Sequence, residues 1–213
     1  MKKSFLLKAG VFLICMLLMS AAGCSGSSTA NTSGAENVSN KLSPDALAKQ
    51  IGAARTEVLA GLGIAEAEVT VHQGVDILPG AYAAEGKEYR VFLSYTDSGT
   101  LYRFWYQTAG DSEPDLAVLA ETLEAYKTRY GEPSTYPGVY SRYYGENDPA
   151  QVFKRADEIY ETWDLSEISP FREATADRDD ISFVLIVKLE KMGQSNNLTI
   201  TYTLQGNRNA SRG

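Results

Sequence analysis

Apolar and polar residues alternate most regularly near the C-terminal end of the chain. Ile181, Phe183, Leu185, Val187 and Leu189 share one parity, and Leu198, Ile200, Tyr202 and Leu204 repeat it beyond a polar turn at Gly193 to Asn197. Period two marks strands, and two such runs about a turn predict an antiparallel hairpin. Thr199, Thr201 and Thr203 make one face of its second strand wet, whereas Val184 and Ile186 give the outer face of the first some apolar character. A second hairpin is predicted from Tyr89–Tyr95 and Leu101–Tyr106, which flank the turn residues Thr96-Asp97-Ser98-Gly99. Val69, Val71, Val75 and Ile77 fall on odd positions and predict one strand, bulged near Gly74. Ile159, Trp163 and Leu165 predict another.

Two stretches carry the helical period instead. Leu47, Ile51, Val58 and Leu62 form a stripe that Gly52 divides into two short helices. Ser43-Pro44-Asp45 supplies a cap, a first-turn proline and an acid at the positive end of the dipole, and Gly63 ends the second helix. Leu116, Leu119, Leu123, Tyr126 and Tyr130 make one face of a longer helix, opened by Ser112-Glu113-Pro114-Asp115 and stopped by Gly131 and Pro133. Gln151–Ala156 predicts a further helical turn. Helices precede runs of strands rather than separating every pair, so the fold class expected is α+β, with helices packed on antiparallel sheet. The order reads as two divergent halves, 42–110 and 111–205, each a helical opening followed by three strands. A polar tail, 206–213, closes the chain.

The first 24 residues belong to a different grammar. Lys2, Lys3 and Lys8 make a basic head, Val11 to Met19 is almost unbroken apolar sequence, and Ser20-Ala21-Ala22-Gly23 narrows to small residues before Cys24. Basic, apolar, then small is the order of a secretory signal, and the run is shorter than the roughly 20 residues a spanning helix wants. Small residues ending on a cysteine resemble the lipobox of bacterial lipoproteins, with Ala21 where that pattern usually has leucine. The resemblance implies a signal peptide over 1–23, cleavage between Gly23 and Cys24, and lipid such as palmitate on the Cys24 thiol. The small polar stretch 24–41 then reads as a flexible tether, and 42–205 as the α+β domain. Within that domain, Ile51–Ile64 is similar to the helical openings of small lipoproteins related in fold to β-lactamase inhibitor protein. No functional residue follows from that similarity.

Charge and cysteines narrow the chemistry. Removing the three lysines with residues 1–23 takes the formal net charge from −7 to −10, which excludes the basic footprint of a nucleic-acid binder. It also leaves the lipid as the membrane contact, since anionic headgroups repel such a domain. Cys15 and Cys24 are the only cysteines, so the expected domain has neither disulfide nor cysteine metal site. No Gly-x-Ser-x-Gly, His-Glu-x-x-His, Cys-x-x-Cys or phosphate-loop pattern occurs, His72 is the lone histidine, and no cofactor is called for. Asp177, Asp179 and Asp180 are weak metal candidates, because their spacing fits no calcium loop and Arg178 sits among them. Tyr136, Tyr140, Tyr143 and Tyr144 are the binding candidates: flat apolar rings with polar tips suit a protein or glycan. The expectation is therefore a domain without catalytic chemistry, lipid-anchored to the cell or outer membrane and facing outward from the cytoplasm. Its ligand would be an envelope protein or glycan. The alternative is an envelope hydrolase that uses a Ser/Lys or carboxylate dyad.

Overall fold

In the computed structural model the residues described are 40–84, 86–109, 114–134, 149–176 and 180–206, all in one compact unit. They form α1 (Pro44–Ala48), α2 (Arg55–Leu62), a 3₁₀ turn (Glu66–Glu68), β1 (Thr70–His72), β2 (Val75–Ile77), β3 (Tyr82–Ala84), β4 (Lys87–Tyr95) and β5 (Leu101–Thr108). There follow α3 (Leu116–Tyr130), α4 (Pro149–Ala156), β6 (Glu158–Asp164), α5 (Phe171–Thr175), β7 (Ile181–Met192) and β8 (Ser195–Gly206). The fold is α+β. One antiparallel sheet runs in the order β1-β2-β4-β5-β8-β7-β6, with β3 paired to the first residues of β4. Each half contributes a meander, β2-β4-β5 and β6-β7-β8, and their last strands pair in the middle.

Local chemistry explains the elements. Ser43 caps α1 through its hydroxyl, which accepts from the Ala46 amide at 3.3 Å, and Pro44 takes the first helical position. Gly63 ends α2 at φ 73°, a conformation that favours glycine. The cap of α3 differs from expectation. Asp115, not Ser112, accepts from the Ala117 and Val118 amides at 2.9 and 3.0 Å, and the helix begins at Leu116. The last hairpin turns on two residues, Gly193 and Gln194, which locks Met192 opposite Ser195 and fixes the register of all twelve pairs.

The stretch expected as one bulged strand is instead a hairpin. Gln73 and Gly74 both have positive φ, 50° and 78°, the signature of a two-residue turn whose twist matches antiparallel strands. That turn reverses parity. Asp76 therefore shares the core side with Leu93, while Val75 and Ile77 face the other side beside Ser94 and Phe92.

All described helices contribute to one core on one side of the sheet. Leu47, Val58, Leu59, Leu119, Leu123, Val152 and Phe171 are buried against Val91, Leu93, Phe104, Ile200, Leu185 and Ile159. Aromatic rings fill its middle: Phe104 stacks on Tyr202 at 4.9 Å, and Tyr202 on Phe171 at 5.6 Å. The Tyr106 hydroxyl donates to the Leu42 carbonyl at 2.7 Å and so ties the approach to α1 onto the sheet.

Candidate functional site

Because every described helix packs on one side, the opposite side of the sheet is helix-free among the described residues. Its cross-strand rows follow from the pairing. The central one reads Thr70, Ile77, Phe92, Trp105, Thr201, Ile186 and Thr162, one residue from each strand of the path. A second reads His72, Val75, Ser94, Arg103, Thr203, Val184 and Asp164. Toward the other end lie Arg90, Gln107, Thr199, Lys188 and Tyr160. Phe92, Trp105, Val184 and Ile186 are half-buried and belong to no part of the core.

The middle of this face is ordered by its own contacts. Phe92 and Trp105 stand opposite each other on β4 and β5, stacked at 5.0 Å with planes 5° apart. The Arg103 guanidinium lies 4.8 Å from the Trp105 ring, a cation–π contact, and its Nη2 donates to the Ser94 hydroxyl at 3.2 Å. Its Nε is buried without a hydrogen-bond partner. No carboxylate pairs with Arg103 or Arg90 among the described residues, whereas Lys188 is paired with both Glu190 and Glu158. Gln107 donates to Asn197 at 2.7 Å and braces β5 against β8.

The helix side holds small concavities. One, of about 30 Å³, is lined by Tyr82, Tyr89, Tyr106, Tyr126 and Arg129, room for a water molecule. A groove of about 200 Å³ lies between the β4–β5 turn and the ends of β7 and β8, lined by Thr96, Thr100, Tyr102, Ile181 and Leu204. Both fall short of the roughly 300–1,000 Å³ of pockets that enclose small molecules.

No family model matches the chain. None of the curated proteins matches it either. Among solved structures it is similar to a DUF4309 family protein, YjgB, from Bacillus subtilis, at 13% identity and a TM-score of 0.34. That likeness covers 80% of this chain and 95% of the other.

Most of the residues singled out from sequence fall outside the described ones: Cys24, Tyr136, Tyr140, Tyr143, Tyr144, Asp177 and Asp179. Asp180 is exposed just before β7, and His72 is exposed in the edge strand β1. Among the described residues no group of three or more His, Cys, Asp or Glu side chains is placed to hold a metal. Sequence reasoning missed the Phe92–Trp105–Arg103 cluster. Its signal was present as apolar residues at positions the alternation assigns to solvent, Val184 and Ile186 included.

Two carboxylates, Asp76 and Glu161, stand on the core side of the sheet. Asp76, with 3% of its side chain exposed, accepts from Arg55 Nε at 2.8 Å, and Arg55 also pairs with Glu66. Tyr95 stands near, its ionisation pushed up by burial and then by the Asp76 charge. Glu161 lies between Ile159 and Trp163 on the core side of β6, opposite Val187. Burial pushes its carboxyl above the ordinary range, and the nearby Lys127 charge offsets part of that shift. A folded state that holds a proton more tightly than the unfolded chain loses stability as pH rises through the folded ionisation range. Glu161→Gln should therefore melt higher than the parent at neutral pH. The gap should close as pH falls below the ordinary glutamate value of about 4.3. Melting curves across that range check it, and equal midpoints at neutral pH would remove Glu161 as a cost.

Proposed function

We propose that this chain is a lipid-anchored, extracytoplasmic binding domain whose partner belongs to the cell envelope. The observation that carries the binding part is the sheet side that no described helix covers, with Phe92 and Trp105 stacked at its centre beside Arg103. Trp, Phe and Arg are enriched at protein interfaces, and Trp and Arg dominate their energetics. The anchoring part rests on the signal grammar that ends at Cys24. No described helix is long and apolar enough to cross a membrane. Two or more acyl chains on Cys24 would hold the chain at the bilayer, and the polar stretch that follows would carry the sheet clear of the headgroups.

Two experiments test the two parts. Cys24→Ala should move the protein from the membrane fraction to the medium or periplasm; a chain that stayed membrane-bound and uncleaved would overturn the anchor. A photo-crosslinking residue at Arg90, on the helix-free side, should capture an envelope component in cells. The same residue at Glu121, an exposed position on α3, should not. Capture from Glu121 alone would place the binding surface on the helices.

A further inference from the structure

Resting on the reading of this sheet side as a binding surface, we infer that its occupant is a second copy of this chain, stacked sheet on sheet about a two-fold axis that runs along β8. The charges favour that partner over an acidic or a basic one, because the side is divided between the two signs. On the β4–β5 half Arg90 and Arg103 stand with one acid, Glu88. On the β7–β6 half Glu158, Asp164 and Glu190 stand with one cation, Lys188, which Glu158 and Glu190 already hold. Neither arginine has a carboxylate partner among the described residues. Within one chain the halves do not meet: Arg90 on β4 and Glu158 on β6 are four strand spacings apart, about 19 Å. A two-fold axis along β8 lays each half on the opposite half of the second copy. A patch that matches itself in this way is what an isologous dimer needs.

The apolar residues obey the same symmetry. Phe92 and Trp105 lie on one side of β8 and Val184 and Ile186 on the other, all half-buried. Trp105 therefore meets Ile186 of the second copy, and Thr201 faces its own counterpart at the axis. The two-residue turn makes Met192 and Ser195 a hydrogen-bonded pair, and every second pair follows it, so Thr199, Thr201 and Thr203 bond to β7. With L-residues, β7 then lies to the right when β8 points up and the helix-free side faces the viewer. Aligned sheets cross at about −30°, which over the two spacings from β8 to β4 slides the copies by about 5 Å. The sense of that crossing carries Arg90 from Tyr160 toward Glu158 of the second copy, and it moves Glu88 past the end of that copy's β6. The five strands from β4 to β6, with four alternate-residue rows, cover about 640 Å² on each copy. The pair would bury about 1,300 Å², inside the roughly 1,200–2,000 Å² of stable specific interfaces.

Sedimentation of the full chain in detergent tests this. The chain should form a dimer with a dissociation constant in about the micromolar range, as an interface at the small end of the stable class suits. Arg90→Glu and Glu158→Arg, both outside the core, should each weaken the dimer about tenfold or more, because like charges then face each other twice across the axis. The double variant, with the two charges exchanged, should recover most of the loss. Thr201→Cys should couple to its own counterpart through a short bismaleimide, and Glu121→Cys, exposed on α3, should not. A monomeric parent, or a dimer indifferent to both charge changes, would overturn the second copy as occupant. Single changes that weaken the dimer without recovery in the double variant would overturn the two-fold arrangement along β8. With a monomeric parent, capture of a different envelope component from the photo-crosslinker at Arg90 would keep this sheet side as the binding surface, and no capture would remove that reading as well.

Discussion

Arg55→Ala should destabilise the domain by about 3–5 kcal/mol, the cost of leaving one member of a buried ion pair without the other. Asp76 has 3% of its side chain exposed and takes a 2.8 Å hydrogen bond from Arg55 Nε. Remove the guanidinium and the carboxylate stays in the core, facing Leu93 across the β2–β4 ladder. Glu66 would lose its partner too, but it is largely exposed and its pairing is worth little. The pair is not needed for stability as such, since apolar replacements of both members are often neutral or better. Arg55→Met with Asp76→Leu should therefore recover most of the loss, and urea titrations of the single and double variants measure it. An additive double variant, as unstable as the two single changes together, would show that the pair is not a unit. The expected structural consequence is local: Arg55 on α2 is the side chain that fastens the β1–β2 hairpin to the helical layer.

That pair also shows where sequence reading stops. Strict alternation gave the β7–β8 hairpin and the β4–β5 hairpin their strands and faces, because each has a long run of one parity and a turn rich in glycine or small polar residues. The β1–β2 hairpin has three residues a side, too few to establish a period. Its apolar residues keep the same odd numbering through Gln73 and Gly74, although the chain reverses there. Read as one strand, the segment puts Asp76 in water; folded as a hairpin, it puts Asp76 in the core. Glu161 was hidden in a comparable way, an acid between Ile159 and Trp163 on a strand whose neighbours determine the face. The helix-free side was half legible. Val184 and Ile186 marked it as not fully polar, yet Phe92 and Trp105 become a cluster only when β4 and β5 pair in register and β5 meets β8 across nearly a hundred residues of chain. Long-range strand order of that kind leaves no local trace. Tyr136, Tyr140, Tyr143 and Tyr144 lie outside the described residues, and the described ones present a different aromatic surface at Phe92 and Trp105.

Phe171→Ala should cost about 3–5 kcal/mol as well, in the range for deleting a large aromatic from a close-packed core. Phe171 is fully buried, 5.0 Å from Phe183, 5.6 Å from Tyr202 and 5.9 Å from Tyr130, centroid to centroid. It is also the first residue of α5, a helix of five residues. A helix that short has no stability of its own, since nucleation is unfavourable and five residues complete little more than one turn. Its docking therefore depends on this ring, and the cavity left by alanine would open between α5, α3 and the sheet where Tyr130, Phe183 and Tyr202 meet. Two readouts separate a loosened helix from a uniformly weakened domain. Urea unfolding should show the midpoint falling while the slope stays constant, as expected when compactness is unchanged. Amide exchange should speed most in α5 and in α1, which packs against it, and least at the β5–β8 pairing in the middle of the sheet. Phe171→Leu, which fills much of the same space, should restore most of the protection. If alanine left the unfolding free energy within about 1 kcal/mol of the parent, the ring would not be holding the helix, and the aromatic stack through Tyr202 would have to be carried by Phe104 alone.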